Sequence, residues 1–556
     1  MHELIQSLCA GSPRFRTPVL HQQSAAHGSL AAWRALWAQG PQQGLAQTEG
    51  DFAVALRDAQ GRAFLAVDRL GIHTLCYRIV DGQLQFAQQA DQLADARHSL
   101  EPQALYDYLY FHAIPSPQTV YQDIHRLPPG HYATFEQGRL TVAPYWTPTF
   151  QPESGHSFEA LRDEFRQLLR DAVRRQLGSG RPACFLSGGT DSSTVAGMIR
   201  DVTGQAPATY SIGFEAEGYD EMAYARIAAR HFATDHHEYY VTPDDLLAGI
   251  PQAAAAFDQP FGNSSTLPAW CCARVARADG VDRLLAGDGG DELFGGNSRY
   301  AKQRIFGWYD RVPSVLRNGV LEPLLLGTPL GRLPLVRKGA SYVEQARVPM
   351  PDRLQTYNLL GRLGHEEVLT PAFLAQVDRS SPLARQRAVW AACEASTQLD
   401  RNLAFDWRYT LAETDLPKVR MATALAGIEV GFPLLDQDLM AFSQRLPTAY
   451  KLRGLTLRWF FKEALKGFLP DEIISKPKHG FGLPFGVWAS RHPGLSAFAA
   501  DSVRGLVDRG LLRSAFVENL LTSRLAENPG YYGEMIWISM MLEQWLRHHA
   551  PNFKLD

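Results

Sequence analysis

Residues 183 to 199 constrain this chain more than any other stretch. An apolar run, Ala183-Cys184-Phe185-Leu186, breaks into Ser187-Gly188-Gly189-Thr190-Asp191-Ser192-Ser193 and continues as Thr194-Val195-Ala196-Gly197-Met198-Ile199. A buried strand that ends in Ser-Gly-Gly and turns into a helix makes an anion cradle. The glycines let the backbone approach, and the N–H groups of the helix start face the ligand. This is not a Walker loop, because no Gly-Lys-Ser/Thr follows at the required spacing. The chemistry expected of it is cleavage of ATP between the α and β phosphates. Pyrophosphate is then held by Ser187, Gly188, Gly189, Ser192 and Ser193, with Leu186 at the end of the strand. Ser-Gly-Gly alone also occurs in turns that bind nothing; Asp191 and the strand and helix on either side favour the cradle.

A second apolar run breaks in the same way, Leu284-Leu285-Ala286-Gly287-Asp288-Gly289-Gly290-Asp291-Glu292-Leu293-Phe294-Gly295-Gly296. Asp288, Asp291 and Glu292 put three carboxylates on one tight loop, which costs energy unless a cation sits there. Hard carboxylate oxygens suit Mg²⁺ shared with phosphate oxygens. Asp191 and Asp291 are the expected ligands.

Together these stretches resemble the synthetase domain of the asparagine synthetase family. Further segments match in order: Ser211-Ile212-Gly213-Phe214, Tyr219-Asp220-Glu221, Asp258-Gln259-Pro260-Phe261, Gly427-Ile428-Glu429-Val430, Phe432-Pro433-Leu434-Leu435-Asp436 and Lys476-Pro477-Lys478-His479-Gly480-Phe481-Gly482. The resemblance implies an α/β fold, with a doubly wound parallel sheet carrying the pyrophosphate loop behind an antiparallel αββα layer. It adds Ile212, Ala286 and Gly287 to the nucleotide site. Lys478 would meet the α-phosphate as negative charge grows there. Asp288 and Glu429 would line the acceptor site, although the family's Glu-x-Arg has become Glu429-Val430-Gly431. The cofactors implied are ATP and Mg²⁺.

The first 150 residues are expected to be a vestige of the family's glutaminase domain, with the synthetase domain spanning 151–556. Glutamine-hydrolysing members carry a cysteine at position 2, and here the chain reads Met1-His2-Glu3. No asparagine precedes Asn263, so the family's Asn-Gly-Glu oxyanion segment is missing. Cys9 is the one candidate nucleophile nearby, and its neighbours do not match the family start. Runs at 51–56, 64–71, 84–87 and 131–135, divided by Gly- and Pro-containing turns, predict an antiparallel meander. The polar stretch 144–154 precedes a helix carrying Leu161, Phe165, Leu168, Leu169, Ala172 and Val173.

Composition sets outer bounds. At 556 residues and 45% hydrophobic content the chain can bury two cores, and a net charge of -3 gives no electrostatic reason to expect nucleic acid. Six cysteines without a Cys-x-x-Cys pair suit a reducing cytoplasm. The most apolar long stretch, 320–336, holds Glu322, Arg332 and three prolines, so no membrane span is expected. Residues 301–410 are expected to be helical without assigned chemistry. His236, His237, His548 and His549 are expected to be structural, and Trp537, Met541, Leu542 and Trp545 to be one core-facing helix stripe.

Three activities remain open from sequence. The first is an AMP-forming amide ligase activating a carboxylate, the aspartate side chain foremost, as an acyl adenylate for attack by ammonia. The second is a lasso-peptide cyclase or β-lactam-synthetase-like enzyme, in which an amine of the substrate or precursor peptide attacks; Asp288 argues against the lactam branch. The third is a silent scaffold. A homodimer is compatible with each.

Overall fold

The computed structural model describes residues 7–95, 98–326, 334–477 and 482–555. His2 and Lys478 through Phe481 therefore lie outside the described residues.

The antiparallel half begins with β1 (Ser7–Gly11), β2 (Phe52–Arg57) and β3 (Ala63–Val67), followed by β4 (Cys76–Val80), β5 (Gln83–Ala87) and β6 (His125–Arg126). It ends with β7 (His131–Glu136) and β8 (Arg139–Pro144). Five strands pair in the order β1-β2-β3-β7-β8, with Cys9 opposite Val54 and Leu65 opposite Ala133. The remaining three form a second sheet, β5-β4-β6. The run at 84–87 thus leaves the single meander expected from sequence.

Alternation explains the split. Phe52, Val54 and Leu56 face helices α1 (Pro18–His27) and α2 (Ser29–Gln39), where Trp33 and Leu36 are buried. Ala53, Ala55, Leu65 and Phe135 face the second sheet through Tyr77, Leu84 and Phe86. A strand buried on both faces has period-two side chains serving two cores. Helix α3 (Pro102–Phe111) then carries Tyr106 and Tyr108, both fully buried, into the parallel half.

The parallel half opens with α4 (Phe158–Gln176), β9 (Ala183–Phe185) and α5 (Thr190–Thr203). It continues through β10 (Ala208–Phe214), α6 (Met222–Phe232), β11 (Asp235–Val241), α7 (Thr266–Ala278), β12 (Arg283–Leu285) and the short α8 (Gly290–Phe294). After a helical stretch come α9 (Leu416–Leu425), β13 (Glu429–Gly431), α10 (Trp459–Ala464) and α11 (Pro529–His549). Strands run parallel in the order β11-β10-β9-β12-β13. Strand order therefore reverses between β9 and β12, the place where open α/β sheets form a crevice beyond their carboxyl ends. One face packs on α4, α5 and α6, the other on α7 through Cys272, Ala273 and Ala276.

Helix α11 differs from the expected stripe. Trp537, Met541, Leu542 and Trp545 are buried, but so is nearly every residue from Met535 to Leu546. Ser539, Glu543 and Gln544 go in with them, and Glu543 is neutralised by Arg509 at 2.7 Å. Among the described residues no helix is long and apolar enough to cross a membrane.

Candidate functional site: two interlocked loops at the sheet crossover

A cleft of about 1040 Å³ opens at the carboxyl ends of β9, β10 and β12. The loop after β9 makes one wall. Gly188 holds φ at 68°, and a Cβ there would fall 2.4 Å from the Ala225 N on α6, so only glycine allows the turn. Ser192 closes the loop: its Oγ accepts the Ser187 N–H at 3.1 Å and lies 3.0 Å from the Ser187 Oγ. The start of α5 is thereby aimed into the cleft.

The loop after β12 is fitted against it. A Cβ on Gly287 would sit 2.7 Å from the Ser192 N, and one on Gly290 would sit 2.3 Å from Asp191 Oδ1. Gly287 and Gly290 are therefore explained by the first loop's presence, and Gly289, at φ 103°, by the Leu435 side chain packed against it.

The two expected metal ligands converge on one point. Arg458, which precedes α10, places Nη1 2.5 Å from Asp191 Oδ1 and 3.2 Å from Asp291 Oδ1. Burial alone would lower the Arg458 pKa, but these carboxylates raise it. Among the described residues no group of three or more His, Cys, Asp or Glu side chains is placed to hold a metal; two carboxylates turned to one point fit a Mg²⁺ only where phosphate oxygens and water complete its octahedron. Glu292, adjacent and buried, has its pKa raised well above the carboxylate range by burial and by Asp291. Asp288 is also in the cleft, where burial raises its pKa against the Lys418 ammonium, 3.4 Å away. Lys418 is shared with Asp415 at 3.3 Å.

Leu186, Ser187, Gly189, Asp191, Ser192, Ile212, Gly287, Asp288 and Asp291 all line this cleft. Gly188 and Ala286 lie behind its wall, both buried, and Ser193 is fully buried with no hydrogen-bond partner for its hydroxyl among the described residues. Glu429 is not brought to the cleft. It stands at the amino end of β13, 76% exposed, 3.7 Å from Arg283, beside a separate 520 Å³ cavity at the opposite edge of the sheet. Because β13 is parallel to its neighbours, its first residue must lie at the edge away from the loops.

Several cations were not expected from sequence. Arg458, Lys418, Lys462 and Lys476 all line the cleft. Lys476 donates to the Gly188 O at 3.4 Å and pairs with Glu221 at 3.1 Å. Residues 301–410, expected to carry no chemistry, end in Thr410 at the cleft, within the π-helical run Trp407–Asp415 that also supplies Thr414 and Asp415.

The asparagine synthase family pattern matches residues 164–547, and that of the glutamine amidotransferase domain matches residues 30–146. The chain belongs to the asparagine synthase family. It is 24% identical over 498 residues to asparagine synthetase [glutamine-hydrolyzing] 1 of Bacillus subtilis, covering 88% of this chain and 75% of that one. Against asparagine synthetase [glutamine-hydrolyzing] 3 of the same organism it is 24% identical over 450 residues, 77% and 66% of the two chains. Amidase chyE of Penicillium rubens is 29% identical over 276 residues, 45% and 40% of the two. As an asparagine synthase family member the protein is an ATP-dependent ligase forming C–N bonds.

Proposed function

We propose that the protein activates a carboxylate as its acyl adenylate, releasing pyrophosphate, and passes the acyl group to ammonia or an amine with release of AMP. The observation that carries this reading is the interlock of the two strand-end loops, with Asp191 and Asp291 aimed at one cation beside the N-terminus of α5. The backbone of Ser187 to Ser193 grips the leaving pyrophosphate, and Lys476 adds positive charge to the same wall. Lys478 would face the α-phosphate. Asp191 and Asp291 would hold Mg²⁺, which supplies charge neutralisation to the phosphates when bound. Asp288 and Lys418 orient the acceptor.

The acceptor is the aspartate side chain or a larger carboxylate. The second reading is a substrate or precursor peptide that carries its own amine; in either case the cleft of about 1040 Å³ holds ATP and the acceptor together. The antiparallel half is proposed to be without glutaminase activity. No asparagine precedes residue 263, and Cys9, exposed in the middle of β1, has its thiol pKa raised rather than lowered by its surroundings. A nucleophilic thiol needs the opposite shift.

Carboxylate-dependent exchange of labelled pyrophosphate into ATP tests the first half-reaction without knowledge of the amine. Exchange with aspartate or with an amine-bearing carboxylate is the expected result. No exchange with any member of a broad carboxylate panel at saturating Mg²⁺ would overturn the reading.

A further inference from the structure

Nearly every ionised carboxylate in the cleft is matched by a cation. Asp191 and Asp291 share Arg458, Asp288 and Asp415 share Lys418, and Glu221 has Lys476. Glu292 is buried, and burial and Asp291 raise its pKa. Glu534 is the exception.

Glu534 lies on α11 at the end of the cleft lined by Phe111, His112, Asn263, Ser264 and Ser265. Its side chain is 39% exposed. Among the described residues its one ion-pairing contact is His112 Nδ1, at 3.8 Å. Burial holds the His112 pKa down to about 4, so the ring is neutral at neutral pH and offers no charge. Although the Glu534 side chain is part-exposed, the protein around it pushes its pKa up to about 7, where a carboxyl can take a proton.

The position is built by both halves of the molecule. Tyr108 on α3 donates its hydroxyl to the Ile538 O at 2.9 Å, fixing α3 against α11 one turn beyond Glu534. His112 ends α3 in the left-handed conformation, φ 62°, and its carbonyl accepts the Gly262 N–H at 2.8 Å. Next to Glu534, Gly533 lets α11 touch the segment at Gly486, since a Cβ on Gly533 would lie 2.5 Å from the Gly486 Cα.

We infer that this end of the cleft is the subsite for a primary ammonium group, and that Glu534 receives a proton from it before it attacks. The inference rests on the acyl-adenylate reading above and names the nitrogen nucleophile that reading leaves open. An ammonium gives one proton to the Glu534 carboxylate, and the freed nitrogen lone pair forms the C–N bond at the acyl carbon. The C–O bond to AMP breaks, its electron pair leaving on the phosphate oxygen, and the second nitrogen proton passes to water. The antiparallel half thereby contributes Phe111 and His112 to the ligase site.

The test uses the full chain and n-propylammonium chloride as probe. With a carboxylate that supports pyrophosphate exchange, Glu534→Gln should keep exchange within about twofold while the KM for the amine rises about tenfold or more, and Glu534→Asp should recover part of it. An unchanged amine KM in Glu534→Gln would overturn the inference, as would loss of exchange in step with amide formation. Absence of exchange in the unaltered protein defeats the parent reading instead. Binding is checked apart from turnover: calorimetric titration of n-propylammonium in the presence of ATP should give an isotherm that Glu534→Gln abolishes. Equal isotherms, or none in the unaltered protein, would overturn it.

Discussion

Asp68 directly follows β3 in the antiparallel half, whereas Asp191 lies in the first turn of α5, beyond the polar loop that follows β9 in the parallel half. Asp68 is buried, and its carboxylate accepts the backbone N–H groups of Phe52, Leu70, Ile72 and His73 at 3.0 to 3.3 Å. Asp191 faces a cleft and meets a side-chain cation. The same residue type therefore serves the fold where its hydrogen bonds close on the backbone, and serves chemistry where they open on a cavity. Across the two halves the pattern holds. In the antiparallel half Asp68 holds its own loop, and Ser116 and Arg126 dock the neighbouring half through Glu413.

The largest effect expected from this asymmetry is on turnover. Asp191→Ala and Asp291→Ala should each lower AMP formation by about a thousandfold with an unchanged circular dichroism spectrum, as removal of a preorganised electrostatic group at a reacting centre does. Rates close to the unaltered protein at saturating Mg²⁺ would show that the two carboxylates are not the ligands.

Arg458→Met removes the cation those carboxylates share. Stability without Mg²⁺ should fall by about 3 kcal/mol, because two largely buried carboxylates lose the guanidinium they share. Adding Mg²⁺ should then raise the thermal midpoint of Arg458→Met more than that of the unaltered protein. An equal rise in both would separate Arg458 from the cation site.

Glu413 measures the docking of the two halves. It is buried and accepts from Ser116 N at 3.1 Å and Arg126 Nη2 at 2.7 Å in the antiparallel half, and from Arg408. Burial alone would raise its pKa, but Arg408 and Arg126 hold it below the usual carboxylate value. A lowered folded-state pKa stabilises above the unfolded value, about 4.3, and the benefit is lost as pH falls through the folded one. Glu413→Gln should therefore cost about 2 kcal/mol at neutral pH, and the difference should shrink in acid denaturant titrations. A pH-independent difference would mean that charge is not what joins the halves here.

The smallest effect expected is Cys9→Ala, which should leave ligase turnover within about twofold and stability within about 0.5 kcal/mol. In a glutamate-release assay with ATP and a carboxylate present, neither form should release glutamate from glutamine. Sustained release that disappears in Cys9→Ala would make the antiparallel half a live glutaminase.

What was legible in the sequence follows from how local each feature is. The glycine-rich turn after β9 could be read because Ser187 to Ser193 builds it within seven residues, and the second acidic loop because its glycines and carboxylates are contiguous. Arg458, Lys418 and Glu534 could not, since each reaches the cleft from more than a hundred residues away along the chain, Lys418 and Glu534 on helices and Arg458 at the turn before α10, with no local signature. The π-helical run at Trp407–Asp415 gave no compositional sign. The second small sheet was missed because β4 and β5 look like a continuation of the meander until the two-sided burial of β2 and β3 demands a partner layer. Glu429 was misplaced for a simpler reason: a matched segment gives a neighbourhood, and strand direction decides which end of it meets the cleft.

The central claim is that this chain makes amides by splitting ATP at the α phosphate. Anion-exchange chromatography of the nucleotide products, run with a carboxylate that supports pyrophosphate exchange and with an ammonium donor, tests it most directly. AMP and pyrophosphate in equal amounts, with no ADP, is the predicted result; ADP and inorganic phosphate as the products coupled to amide formation would contradict it.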